Sequence, residues 1–257
     1  MFADERIEKI KTLLLDYRRI DTNTLISMLP ASAATIRRDL ERLESEGFLK
    51  RTHGGAVLVE PDARPAFLPN DEMLSNKKEI GVLAAEMIND GDTVFLGAGT
   101  TCRQIATYLR NKQDVKVVTN DIGTIIELLN SEDCRVMVPG GELERSRSGC
   151  RLAGRHALRN ISNLYFQKCF ITVTAANMKA GYMVDTEDEA ELCHTLMDHS
   201  DETILVIDYS KFGQHALIPL CPLHTIKIVI TNMNVPDEYK TYYYDHDVNI
   251  FIAIGDL

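Results

Sequence analysis

Between Ser32 and Gly47 the sequence sets hydroxyls and cations at helical spacing: Ser32, Thr35, Arg37, Arg38 and Arg42. Ser32 is suited to cap the first free amides of a helix, and Gly47 stands where a left-handed C-terminal stop is expected. At ~100° per residue, Ile36, Leu40 and Leu43 fall on one narrow apolar stripe. Ala34, Thr35, Arg38 and Arg42 share the opposite face, with Arg37 on its flank. That face is small at its start and cationic further along. Small residues allow close approach to a major groove, a Thr hydroxyl contacts phosphate or a base edge, and Arg pairs bidentately with guanine. A solvated surface helix with ordinary i,i+4 ion pairs, such as Arg37 with Glu41, accounts for the same residues.

The elements that must position this helix separate the two readings. Ile7, Ile10, Leu13 and Leu14 give an amphipathic helix over about Asp4–Tyr17, and Ile20–Asn23 reads as a short turn or strand. Thr24–Leu29 is a second short helix stopped by Pro30. After the Ser32 helix, Phe48-Leu49 and Val57-Leu58 flank Arg51-Thr-His53-Gly54-Gly55, a hairpin with a cationic tip. Three helices and a hairpin make a winged helix-turn-helix, a small α+β domain over residues 1–58. Ser32, Thr35, Arg37, Arg38, Arg42, Arg51, His53, Gly54 and Gly55 are its candidate contacts to double-stranded DNA. Residues 59–76, with Pro61, Pro65 and Pro69 among polar residues, read as a linker.

A second set of chemically suggestive residues lies in residues 77–257. Strand patterns at Thr93–Leu96, Val115–Val118, Arg135–Val138, Phe170–Val173, Thr203–Ile207, Ile226–Ile230 and Val248–Ile252 alternate with helical ones, which predicts a mostly parallel sheet covered on both faces. In such a sheet ligands bind beyond the carboxyl ends of the strands. Gly97-Ala-Gly99-Thr100-Thr101 stands at one such end, Thr119-Asn120 at the next and Gly140-Gly141 at the third. Asp208-Tyr-Ser-Lys211 follows a later strand. Free amides and hydroxyls at a helix start cradle phosphate, and four such features at four strand ends favour one shared pocket.

The balance of charge bears on partners. The net charge is −10, yet residues 1–60 hold ten Lys/Arg and ten Asp/Glu, so all the net acidity lies beyond them. Screening makes local clusters count more than the total. No apolar run is long enough to span a bilayer, and the charged start is no secretory signal, so a cytoplasmic protein is expected. The six cysteines contain no CxxC pair, and Cys193-His194 with His199 lacks a second ligand pair, so neither a metal nor another cofactor is expected.

Ser32-x-x-Thr35-Ile-Arg-Arg-Asp-Leu40, Leu43-Glu44, Gly47 and Arg51-x-His53-Gly-Gly-Ala56 resemble the signature of DeoR-type bacterial transcriptional repressors. Lys77-Lys78, Asp90-Gly-Asp92, Gly99-Thr-Thr101, Thr119-Asn120, Gly140-Gly141, Gly149 and Asp208-x-Ser-Lys-Phe-Gly213 are similar to the effector domain of the same family. The resemblance implies a ribose-5-phosphate-isomerase-like fold for the second domain and a phosphorylated sugar as effector. It implies that Gly99, Thr100 and Thr101 hold the phosphate, that Lys211 neutralises it or bonds a sugar oxygen, and that Asn120, Gly141 and Asp208 line the rest. Lys78, Gly97, Thr119 and Gly140 complete that set.

The sequence departs from the family at Gly97, usually acidic, and at Thr174–Met178, usually Gly-rich with Asp. Arg145 and Arg147 offer charge for a more acidic ligand. The whole reads as a repressor of a sugar-catabolism operon, released from operator DNA by its effector and assembled as a homodimer or homotetramer. Two other classes stand beside it. One is a sugar-phosphate isomerase-like enzyme with a base among Asp185, Glu187, Asp188 and Glu189. The other is a thiol-based redox regulator acting through Cys102.

Overall fold

The structure, a computed structural model, describes residues 3–17, 19–45, 48–52, 54–58, 73–129, 131, 133–146 and 149–254. Gly47, His53, Arg147 and residues 59–72 of the expected linker lie outside the described residues. The chain divides into two compact units, residues 1–66 and 67–257.

In the first unit α1 (Ala3–Tyr17), β1 (Arg19–Asp21), α2 (Thr22–Met28), α3 (Ala33–Ser45), β2 (Leu49–Thr52) and β3 (Gly55–Leu58) follow in order. The stripe expected on α3 is its buried face: Ile36, Leu40 and Leu43 pack with Ile7, Ile10 and Leu14 of α1 and with Leu25 of α2. Each such side chain removed from water is worth ~1.5–3 kcal/mol. Ser32 caps α3 as expected, its Oγ accepting from Thr35 N at 3.3 Å. Asp21 does the same for α2, accepting from Thr24 N at 2.9 Å.

The hairpin gains a third strand, because β1 pairs with β3 and gives the order β1-β3-β2, with Ile20 opposite Ala56. Gly55 permits this pairing. A Cβ there would meet Ile20 O at 2.2 Å. A buried ion pair that the apolar pattern does not reveal closes the unit, with Arg6 Nε and Nη2 on the two Asp39 oxygens at 2.6 and 3.2 Å. It fixes α3 against α1 from beneath.

The second unit opens with α4 (Leu74–Glu86), so residues 74–76, read from the sequence as linker, are helical. β4 (Thr93–Leu96), α5 (Thr100–Thr107), β5 (Val115–Thr119), α6 (Ile122–Leu128) and β6 (Cys134–Met137) follow. Next come a hairpin, β7 (Glu142–Ser146) and β8 (Gly149–Ala153), then α7 (Gly154–Ile161) and β9 (Phe166–Ile171). The rest of the unit runs β10 (Ala175–Asn177), β11 (Gly181–Val184), α8 (Glu187–Asp198), β12 (Ser200–Val206), β13 (Ile218–Cys221), β14 (Ile228–Asn232), α9 (Asp237–Asp245) and β15 (Asn249–Ala253).

Seven strands form one parallel sheet in the order β15-β14-β12-β9-β4-β5-β6. The inner strands β14, β12, β9, β4 and β5 carry apolar runs buried on both faces, as parallel strands under helices require. The edge strands β15 and β6 are partly exposed. On one face Val94, Leu96 and Val206 meet Ile80 and Ala84 of α4 and Ile105 of α5. On the other, Phe95, Ile171 and Leu205 meet Ile161 of α7, Leu196 of α8 and Tyr239 of α9. The strand expected at Phe170–Val173 starts earlier, at Phe166, and stops at Ile171. Two antiparallel additions, β7-β8 and β10-β11-β13, frame the carboxyl end of the sheet and carry residues that the strand pattern left unplaced.

Candidate functional site

On the first unit, Ser32, Ala34, Arg37, Arg38 and Arg42 are exposed along α3, and Thr35 is half-buried. Thr35 Oγ1 sits 2.9 Å from Ser32 Oγ, so the two hydroxyls at the helix start support each other. Glu41 does not take up Arg37. Its Oε1 accepts from Arg51 Nη1 at 2.7 Å, while Glu44 Oε1 accepts from Arg51 N at 2.8 Å. Arg51 therefore ties the wing to the C-terminal half of α3, and among the described residues no ion pair engages Arg37 or Arg38. Gly54 is exposed at the wing tip, and its carbonyl accepts from Thr22 N at 2.9 Å.

In the second unit a cleft of about 320 Å³ opens beyond the carboxyl ends of β4, β5 and β9. Gly97, Gly99, Thr100 and Thr101 line it from the turn into α5, Asn120 from the end of β5, and Lys211 from the segment after β12. Gly99 has φ +139°, a backbone that suits glycine, and no side chain caps the first turn of α5. A helix start of this kind presents N–H groups and the positive end of its dipole to an anion.

Of the adjacent lysines Lys77 and Lys78, it is Lys77 that lines the cleft. Lys77 is buried, its Nζ donating to Thr100 Oγ1 at 2.9 Å and lying 3.8 Å from Asp208 Oδ2, whereas Lys78 is exposed and absent from the cleft lining. The signal was available: Lys77, Ile80 and Ala84 stand at i, i+3 and i+7 on the face of α4 that packs inward. Asp208 sits behind the cleft, 1% exposed, and accepts from Ser210 N at 3.0 Å. Among the described residues neither Asp208 Oδ2 nor Asn120 Oδ1 has a hydrogen-bond partner, although both are buried.

Three expected site residues fall elsewhere. Thr119 is fully buried and its Oγ1 accepts from Asp121 N at 3.1 Å, a turn contact behind the site. Gly140 and Gly141 are exposed and do not line the cleft. They let the chain turn into the β7-β8 hairpin, where a Cβ on Gly141 would meet Ala153 O at 2.4 Å. Arg145, on β7, is exposed and equally outside the cleft.

Sequence reasoning missed Arg151, Thr172 and His215, all on the cleft wall. Arg151 comes from β8, an element with no apolar signature. Its guanidinium bonds Glu144 Oε2 at 3.0 and 3.1 Å and also Glu189.

The two rival chemistries find little support. Asp185 and Glu189 reach the cleft, but Glu189 is engaged by Arg151 on one oxygen and by Asp185 N at 3.0 Å on the other, so it serves as a structural anchor at the start of α8. Asp188 lies outside the cleft lining. Cys102 is fully buried with its Sγ 3.6 Å from Phe170 O, and burial pushes its thiol far above the ordinary value. Burial likewise pushes the Cys169 and Cys193 thiols up to about 12. Reactive thiols need the opposite setting.

A capped, cation-faced α3 beside a three-stranded wing defines a winged helix-turn-helix protein, here carrying a second α/β unit with an anion-suited cleft. Residues 6–62 match the DeoR-like helix-turn-helix domain and residues 72–233 match the DeoR C terminal sensor domain. The chain belongs to the DeoR family. It is similar to an HTH-type transcriptional regulator GlpR of Haloferax volcanii, at 32% identity with 90% of this chain and 91% of that one covered. It is also similar to the glycerol-3-phosphate regulon repressor of Escherichia coli K12, at 28% identity over 97% of this chain and 99% of that one.

Among solved structures, a ribose 5-phosphate isomerase from Plasmodium falciparum is 15% identical with TM-score 0.39, over 55% of this chain and 53% of that one, a likeness too slight to speak for activity. No helix among the described residues is long and apolar enough to cross a membrane.

Proposed function

We propose that the chain is a transcriptional repressor of a sugar-catabolism operon in the cytoplasm, and that a phosphorylated sugar bound in the cleft releases it from its operator. The observation that carries this reading is the pairing of an exposed cationic α3 with a cleft whose buried Lys77 and half-buried Lys211 flank the uncapped start of α5. Thr35, Arg37, Arg38 and Arg42 read the major groove, and Arg51 and Gly54 of the wing approach the backbone or the minor groove, whereas Gly55, expected among the contacts, is buried against β1. Thr100, Thr101 and the neighbouring amides hold the phosphate, Lys77 and Lys211 neutralise it, and Asn120 meets the sugar.

Release requires that the ligand favour the weakly binding arrangement, a coupling of typically ~1–3 kcal/mol. Paired operator half-sites call for at least a homodimer, and a homotetramer serves equally.

The test is a gel shift on the promoter fragment beside the protein's own gene, challenged with a panel of sugar phosphates. One of them dissociates the complex. Lys211→Ala then holds the same DNA but no longer responds. Loss of DNA binding by Lys211→Ala, or a complex indifferent to every sugar phosphate, overturns the assignment.

A further inference from the structure

Beside the cleft lies a second cavity of about 390 Å³, between α7 and α8. Asn120, Arg151 and Leu192 line both spaces, so the two chambers share a wall. Each alone is within the range of about 300–1,000 Å³ usual for ligand pockets. The second chamber has three kinds of surface. Arg155 and the start of α7, which no side chain caps, present donors. Asp188 and Glu191 of α8 present acceptors across from them. Leu152, Ala157, Leu158 and Ile161 make an apolar floor. Where the chambers meet, Asn120 is 1% exposed, its Nδ2 donating to Leu152 O at 3.1 Å while its Oδ1 meets no donor among the described residues.

This combination selects a ligand chemistry. A second phosphate would face the carboxylates of Asp188 and Glu191. An ammonium would face Arg151, Arg155 and the positive end of α7. A purely apolar group would leave both polar walls unmatched. A hydroxyl is donor and acceptor at once, so a ring of hydroxyls satisfies opposed donor and acceptor walls together. The C–H face of such a ring lies on aliphatic side chains.

We propose that the second chamber is a subsite for an uncharged glycosyl unit, with Asn120 Oδ1 accepting from a hydroxyl at the junction. The effector is then a phosphorylated disaccharide, its phosphate at Thr100–Lys211 and its second sugar between α7 and α8. The inference rests on the reading of the first chamber as a phosphate site.

Titration calorimetry on the full chain tests it with glucose 6-phosphate and galactose 6-phosphate against trehalose 6-phosphate, cellobiose 6′-phosphate and lactose 6-phosphate. At least one disaccharide phosphate binds about tenfold tighter than its monosaccharide parent, the gain expected of a few added hydrogen bonds. Leu158→Trp, which fills the chamber, abolishes that advantage, and Arg155→Ala, an exposed position that does not endanger the fold, reduces it. Both leave the monosaccharide phosphates within about twofold, since neither Leu158 nor Arg155 lines the first chamber.

The proposal is overturned if every disaccharide phosphate binds no tighter than its parent, or if neither variant changes the difference. Failure of the phosphate reading looks different: no sugar phosphate binds at all, or binding survives Lys211→Ala unchanged.

Discussion

The two units hold their cations in opposite ways. Along α3, Arg37 and Arg38 are exposed and, among the described residues, outside any ion pair, with Arg51 braced on Glu41 beside them. In the cleft, Lys77 is buried and already set between Thr100 and Asp208, and Arg151 is set between Glu144 and Glu189. A long polyanion is bound by many hydrated charges acting together, with counterion release supplying the gain. A small anion offers few contacts, so its site must be assembled in advance from groups that keep their positions without it. The difference teaches where each unit is vulnerable. Changes at the exposed Arg37 and Arg38 spare the fold, whereas single changes among buried pairs, Arg6–Asp39 on the far side of α3 included, threaten the fold itself.

The largest test of that contrast is Asp121→Ala. Asp121 accepts from Arg103 Nε and Nη2 at 3.1 Å each and caps α6 by accepting from Thr124 N at 2.7 Å. Its loss removes two hydrogen bonds from a buried guanidinium and opens a helix end, with an expected cost of ~3–5 kcal/mol. Scanning calorimetry should show a marked fall in Tm; an unchanged Tm would mean that the pair contributes nothing.

Arg6→Ala is the counterpart in the first unit, leaving Asp39 uncompensated beneath α3. The partners are slightly more exposed than those of the other pair, so the loss belongs at the lower end of the same range. Operator affinity should fall with it while affinity for a sugar phosphate holds, and a loss of both would break the separation of the two units.

Arg38→Ala comes next. It should weaken operator binding by ~1–3 kcal/mol and flatten its salt dependence. Because the side chain is exposed, Tm should move little, within the ~0.5 kcal/mol typical of surface changes. A gel shift at two salt concentrations checks the first part and calorimetry the second. Unchanged affinity would remove Arg38 from the interface.

These residues also show what was legible beforehand. The strand Thr93–Leu96 and the buried stripe Ile36-Leu40-Leu43 were plain because burial on two faces or on one leaves a periodic apolar trace. The β7-β8 hairpin left none. Its first strand reads Glu142-Leu-Glu-Arg-Ser146, with Leu143 exposed, so no side is marked as inward. β10, β11 and β13 are strands of three or four residues, and β13 carries Pro219.

The site was half visible for the same reason. Gly99, Thr100, Thr101, Asn120 and Lys211 stand at the ends of legible elements, while Arg151 rides on an illegible one. Its partner Glu189 lies 38 residues away in the chain, a contact that no local pattern encodes. Lys77 and Lys78 are adjacent in the motif, and the helical period, which sets Lys77 with Ile80 and Ala84, tells which of the two faces inward.

The smallest expected effect concerns the buried thiols. Burial, with the nearby Glu189 charge, pushes the Cys193 thiol from an ordinary value of 9.0 up to about 12. The folded chain therefore keeps a proton that the unfolded chain gives up. Stability from this group is complete below about pH 9 and is lost as pH rises from there toward about 12, at up to ~1.4 kcal/mol per pH unit for each thiol so held. Near neutrality the group is silent.

Iodoacetamide at pH 8 should accordingly leave Cys193 unmodified in the native protein and alkylate it in urea, as read by peptide mass mapping. Diamide or peroxide should leave operator affinity where it was. A thiol labelled at once in the native state, with DNA binding changed by oxidant, would place reactivity where the packing of Cys193 against Phe166, Cys169 and Leu196 in one core leaves no room for it. It would also give the second unit an exposed, reactive group of the kind the contrast reserves for α3.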